Sequence, residues 1–208
     1  MPSGTCGSPT AFLTGPRARP SCSEQLDLQQ PARPIRRVLD LGCGDGRLLS
    51  LVRAAHPDVV GVAVDFSDVM LDRARTRFGG QPVDVVVHDL ATPLPALGTF
   101  DAVVSSFAIH HLTHDRKRAL YGEVATRLAP GGTFANLEHV ASPSDRLHHR
   151  FRDAMGIGDT PDDPSNILAP VEDQLGWLRD AGFVDVDCHW KWRELALLAG
   201  VRPDGPAG

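Results

Sequence analysis

Cysteine is scarce in this chain: Cys6, Cys22, Cys43 and Cys188 are the four among 208 residues, far apart and without a CxxC pair. That excludes a disulfide-stapled scaffold and reads as reduced thiols in a cytoplasmic protein. Long apolar runs are missing too. Nothing approaches the roughly 18 residues of a membrane span, and near the N-terminus "AFL" passes at once into "TGPRARP", which is no signal core. Positive charge is not in excess, since 21 Lys and Arg face 26 Asp and Glu for a net charge of -5. A surface built for nucleic acid or anionic lipid would carry the opposite balance. The partner expected is a small molecule, with nucleic acid disfavoured and no membrane. No internal repeat and no second domain are visible.

What is present divides in two. Residues 1–34 hold 6 of the 17 prolines (Pro2, Pro9, Pro16, Pro20, Pro31 and Pro34) and no sustained periodicity, which predicts a poorly ordered lead-in, with at most a helical turn over "SEQLDLQQ". From 35 to 208 short apolar runs alternate with helical patterns. Strands are expected at "IRRVLDL", "DVVGVAVD", "VDVVVHD", "FDAVVSSFA", "GTFANLEHV", "FVDVDCHW" and "RELALLAG". Helices are expected at "GRLLSLVRAAH", "SDVMLDRARTRF", "HDRKRALYGEVATRLA" (ended by "PGG"), "SPSDRLHHRFRDAMG" and "VEDQLGWLRDAG". Such alternation predicts an α/β domain: a Rossmann-like, doubly wound, seven-stranded sheet, mostly parallel with an antiparallel last strand.

The loop leaving the first strand, "VLDLGCGDG", has glycine at every second position: Gly42, Gly44 and Gly46. Ligands of doubly wound sheets bind outside the carboxyl ends of the strands, and glycines there let backbone approach a ligand. The spacing is G-x-G-x-G. A dinucleotide fingerprint needs glycine where Arg47 stands, and no Walker lysine follows, so nicotinamide, flavin and nucleoside triphosphate are disfavoured.

"VLDLGCGDG" resembles the first motif of class I S-adenosylmethionine (SAM)-dependent methyltransferases. The nearest resemblance is to small-molecule enzymes of the quinone-biosynthesis and aconitate-methyltransferase type. It covers roughly residues 36–203 and implies SAM as cofactor and S-adenosylhomocysteine as product. Asp40, Gly42, Cys43, Gly44 and Gly46 would then lie against the amino-acid portion and ribose. Asp65, ending the second strand, would accept from the ribose hydroxyls, and Phe66 would pack on adenine. Asp89 would receive the adenine amino group with Leu90 on the ring. Ser105, Ser106 and Phe107 would pass the methionine end. Family enzymes usually carry N-terminal helices that close over the cofactor, whereas the corresponding segment here is short and proline-rich.

Methyl transfer from a sulfonium needs an aligned nucleophile and, for a hydroxyl acceptor, a general base. The candidate bases are His110 and His111 after the fourth strand and Glu138 and His139 at the end of the fifth. The last two point to opposite faces of a strand, so one at most is expected to face the cleft. His110 and His114 have HxxxH spacing, but the stretch reads as a loop entering a helix, so no metal site is expected. Residues 142–170 form an insertion expected to cover the substrate. Trp190 and Trp192 share a strand face and are assigned to packing. Three functions remain open: methyl transfer to a small molecule, methyl transfer to RNA or protein, and SAM binding without methyl transfer.

Overall fold

The computed structural model describes residues 34–158 and 160–205. The lead-in expected up to Pro34, with its helical turn at 23–30, therefore lies outside the described residues except for Pro34 itself. Seven strands form one sheet: β1 (Arg37–Leu41), β2 (Val60–Asp65), β3 (Val83–Val87), β4 (Phe100–Ser106), β5 (Leu128–His139), β6 (Val184–Trp192) and β7 (Leu195–Val201). Their spatial order is β3-β2-β1-β4-β5-β7-β6. The first five run parallel, and β7 is antiparallel to both β5 and β6.

The central strands are apolar at successive positions because both faces are covered. One face sends Leu39, Val62, Val103, Phe134 and Leu198 into a core shared with α3 (His114–Arg127) and α5 (Val171–Asp180). The other sends Val38, Ala63, Ala102, Val104 and Leu197 against α1 (Arg47–Ala55) and α2 (Asp68–Arg77). Burying each of the Val, Leu and Phe side chains among them contributes ~1.5–3 kcal/mol. Gly61 lets α1 sit close: a Cβ there would stand 2.7 Å from Leu49 Cδ2. The helix α4 (Asp145–Met155) follows β5 and is capped by Ser144, whose hydroxyl accepts the Leu147 amide.

Boundaries differ from expectation where backbone chemistry intervenes. The helix expected to reach Ala129 ends at Arg127, and Leu128 already belongs to β5. Pro130 disfavours helical backbone at the residue before it, and Gly131 turns left-handed at φ 72°. Residues 109–111 form a single 3-10 turn, so His110 and His114 share no continuous helix. The strand expected at 193–200 begins at Leu195, because Arg193 (φ 54°) and Glu194 make the β6–β7 turn. β1, β2, β3, β4 and β5 all end on the same side of the sheet, which brings the loops after Leu41, Asp65, Val87, Ser106 and His139 together.

Candidate functional site

The loop after β1 holds the three glycines at φ 66°, 52° and 82°, a region that costs other residues ~1–2 kcal/mol. Their surroundings differ. A Cβ on Gly42 would lie 2.1 Å from Ala108 Cβ, and one on Gly46 would meet the Phe78 ring at 2.4 Å. Both are therefore demanded by the chain's own packing. At Gly44 the nearest atom is the flexible Met70 methyl at 3.3 Å, so this is the backbone a ligand can approach.

Two carboxylates set the loop. Asp40 is 1% exposed, and its Oδ2 accepts the Leu49 amide at 3.2 Å, tying β1 to α1. Its Oδ1 is buried with no hydrogen-bond partner among the described residues. Burial, aided by the nearby Asp65 charge and opposed by the Leu49 amide, pushes this carboxyl up to about 7. Asp65 accepts the Gly44 amide on Oδ2 (2.8 Å) and the Ser67 amide on Oδ1 (2.9 Å). Each carboxylate oxygen has a second lone-pair direction, so two further donors remain accommodable. Between these acids the Cys43 thiol is buried, and burial with both negative charges holds it well above its ordinary range.

Beside Asp65, Phe66 is 71% exposed, unusual for a phenyl ring. Asp89 is exposed and accepts the Ala91 amide, while Leu90 is buried. Arg116 on α3 fixes this loop by donating to the carbonyls of Leu90 (2.7 Å) and Thr92 (2.8 Å), and Glu123 pairs with Arg116 at 2.6 Å. After β4, Ser105 is fully buried and donates to the Leu41 carbonyl at 2.8 Å. Its hydroxyl is thus committed to the β1–β4 junction. Ser106 is half-buried, and Phe107 takes φ 52°, redirecting the chain into the 3-10 turn.

His110 Nδ1 lies 2.8 Å from Glu138 Oε1, which also accepts the His139 amide. An acceptor-only carboxylate at Nδ1 leaves Nε2 as the basic atom of His110. The His111 ring stands 4.0 Å from His110 between centroids, its Nδ1 near the Ser165 carbonyl and hydroxyl. Burial and then the neighbouring His110 hold His111 below the ordinary histidine value. Lys117 is fully buried, and its ammonium donates to the carbonyls of His110, Leu112 and Ile167. Burial pulls it down to about 8. It fastens the histidine turn to the insertion.

His139 also belongs to this end of the sheet, at 5.8 Å from His110 between centroids. Of Glu138 and His139, of which at most one is expected to face the site, Glu138 is fully buried and the His139 ring is partly exposed. Glu138 reaches the site through His110, and the His139 ring approaches it at the end of β5. Sequence reading missed Glu194, a fully buried carboxylate that accepts from His139 (3.0 Å), Ser142 and His148 (2.9 Å). A glutamate at the edge of an apolar strand gave no signal for it. Among the described residues no group of three or more His, Cys, Asp or Glu is arranged to hold a metal, and no helix is long and apolar enough to cross a membrane.

Fold and loop together define a Rossmann-like α/β protein with a ligand cradle at the strand ends. Residues 38–132 match the family described as "Methyltransferase domain". A demethylmenaquinone methyltransferase of Clavibacter sepedonicus is 32% identical over 187 residues, covering 81% of this chain and 74% of that protein. An uncharacterized methyltransferase of Mycobacterium tuberculosis is 43% identical over 110 residues, 52% of this chain and 53% of that protein. The chain thus spans about half the length of that relative. The crystal structure of the SAM-dependent methyltransferase SibL in its apo form shares the fold at TM-score 0.69, with 23% identity over 88% of this chain and 54% of that one. The chain belongs to the class I SAM-dependent methyltransferase family, whose cofactor is SAM.

Proposed function

We propose that the protein transfers a methyl group from SAM to a small-molecule hydroxyl by direct in-line displacement. The observation that carries this reading is the His110–Glu138 pair, set at the same sheet end as the open Gly44 backbone. Relatives named for quinone methylation and the acidic balance of the chain favour a small molecule over RNA.

The residues present fit the cofactor: a Cβ at Gly44 would intrude on its open backbone, and Asp65 has acceptor capacity left beside an exposed ring. Asp65 would accept the ribose hydroxyls, and Phe66 and Leu90 would flank adenine with Asp89 at its amino group. The loop of Asp40, Gly42, Cys43, Gly44 and Gly46 would hold the amino-acid portion, Ser105 supporting it from below, with Ser106 and Phe107 lining the methionine end. When bound, SAM supplies a methyl group already activated on sulfonium. Positioning supplies ~7–11 kcal/mol of a barrier of this kind. His110 Nε2 would take the acceptor's proton, with Glu138 stabilising the resulting imidazolium, for roughly 10²–10⁴ in rate. His111 and His139 would line the acceptor, and residues 142–170 would cover it.

The test incubates the full chain with methyl-labelled SAM and a panel of phenols and hydroxyquinones. Label on the oxygen of a small molecule upholds the reading, and label on its carbon overturns the hydroxyl assignment. Label incorporated from cell extract into RNase-sensitive or protein material assigns the acceptor to a macromolecule. Binding of S-adenosylhomocysteine with no transfer to any acceptor leaves a SAM-binding protein that does not methylate.

A further inference from the structure

Glu194 joins three elements that are distant in sequence. It sits in the β6–β7 turn, and its Oε2 faces His139 Nε2 at 3.0 Å, at the end of β5. Its Oε1 accepts from the Ser142 hydroxyl and from His148 on α4. His148 has a second carboxylate at its other ring nitrogen: Nδ1 is 2.9 Å from Glu194 Oε1, and Nε2 is 3.0 Å from Asp162 Oδ2. No neutral tautomer of imidazole donates from both nitrogens, so both bonds exist together only when the ring is an imidazolium.

We infer that Glu194 is a positioning residue of the acceptor site, fixing His139 and, through a charged His148, clasping the 160–168 segment onto the sheet. An ionised Glu194 only accepts, so His139 carries its proton on Nε2 and presents Nδ1 as the acceptor atom. Arg152 completes the outer half of the clasp, donating to Asp162 and to the carbonyls of Gly158 and Thr160. The far end of the same segment is held on the histidine turn: the Ile167 amide donates to the His110 carbonyl at 2.9 Å, and Lys117 donates to the Ile167 carbonyl. One side of the clasp therefore answers to the His148 proton, and the other is held by the Lys117 ammonium, which stays charged below about pH 8.

The charged and titratable groups around His148 are Glu194 from the β6–β7 turn, Asp162 from the insertion and His139, reached through Glu194, from β5. Asp145, His149 and Arg152 lie on its own helix. Arg193, beside Glu194, donates to the Arg150 carbonyl of that helix. The bond to Glu194 and then the Asp162 bond raise His148 above its ordinary value against some burial. Burial pushes Glu194 up, but the bonds from His139, Ser142 and His148 outweigh it and hold it below the usual glutamate value. A raised histidine is charged at low pH and neutral above its folded value. The clasp is thus whole below that value and loses one of its two carboxylate bonds as pH rises through it.

The consequence for acceptor binding rests on the methyl-transfer reading; the clasp itself does not. It is tested on the full chain by NMR titration of the histidine rings, with hydrogen exchange of residues 160–168 corrected for intrinsic rate. Comparison is made with Glu194→Gln, Asp162→Asn and His148→Gln. In the wild type His148 is expected to titrate above the free-histidine value, and exchange of the segment to accelerate about tenfold as pH passes through that titration. Asp162→Asn, an exposed and conservative change, lowers the His148 titration by about half a pH unit or more and speeds exchange in the segment. Glu194→Gln lowers it further and also shifts the His139 ring signals, which a purely structural loss elsewhere would not do. His148→Gln abolishes the acceleration of exchange that follows the His148 titration, leaving only the later step near pH 8 from Lys117. A wild-type His148 titrating at or below the free value overturns the inference, as does segment exchange that keeps, in His148→Gln, the acceleration seen in the wild type at the His148 titration. Neither readout needs acceptor or cofactor, so their failure leaves the methyl-transfer reading standing.

Discussion

The Gly44 amide donates to Asp65 Oδ2 at 2.8 Å, so the tip of β2 holds in place the glycine whose backbone lies most open on the loop after β1. One carboxylate thereby shapes the cradle and has acceptor capacity left for a bound ribose. Asp65→Ala is expected to weaken S-adenosylhomocysteine binding by roughly 1.5–3 kcal/mol, the range for hydrogen bonds to a charged group. Calorimetric titration checks this. Unchanged affinity would remove Asp65 from the cofactor site.

Gly42→Ala and Gly44→Ala separate packing from binding. At position 42 the new methyl collides with Ala108 and the backbone is left-handed, so ~2–5 kcal/mol of stability is expected to be lost. At position 44 the conformational penalty stands nearly alone, about 1–2 kcal/mol, while cofactor affinity falls more than stability does. Urea unfolding of both variants, beside calorimetry on Gly44→Ala, decides it. Equal destabilisation by the two would contradict the assignment.

Asp40 makes stability depend on pH in an unusual direction. Its folded value, about 7, lies above the ordinary 3.8, so between those values the folded protein binds the extra proton. The stabilisation this provides is complete below about pH 4 and is lost as pH rises to about 7, on the order of 4 kcal/mol at most. Asp40→Asn is expected to flatten that part of the stability profile relative to wild type. Parallel profiles from pH 4 to 8 would show that Asp40 does not titrate there.

Removing the base should affect transfer and spare the cofactor. His110→Gln is expected to lower the transfer rate to a hydroxyl acceptor by roughly 10²–10⁴ with S-adenosylhomocysteine affinity unchanged, and Glu138→Gln to act in the same direction through His110. Single-turnover measurement with labelled SAM checks both. Full activity in His110→Gln would assign proton removal elsewhere.

Much of this was legible from residue order because it depends on neighbours in the chain. Alternating apolar strands and amphipathic helices announced the doubly wound sheet, and "VLDLGCGDG" placed a ligand loop at the end of β1, since strand period, helix period and glycine freedom are local properties. Local reading also assigned all three glycines to the ligand. The structure adds a second demand at two of them, the packing of Gly42 on Ala108 and of Gly46 on Phe78, contacts that only folding creates. The buried bond from the Ser105 hydroxyl to the Leu41 carbonyl is likewise visible only in the fold.

What tertiary structure alone decided is which polar groups meet. Glu194 lies 55 residues from His139, 52 from Ser142 and 46 from His148. Lys117 is 50 residues from the Ile167 carbonyl it holds. A buried charge is tolerable only where partners converge on it, and convergence across such separations is a property of the sheet order and of the turn at Arg193, not of any short stretch of sequence. Residue order determined the sheet and the glycine loop after β1; the packing of β5, α4 and the β6–β7 turn determined which histidines are held, by which carboxylate, and on which nitrogen.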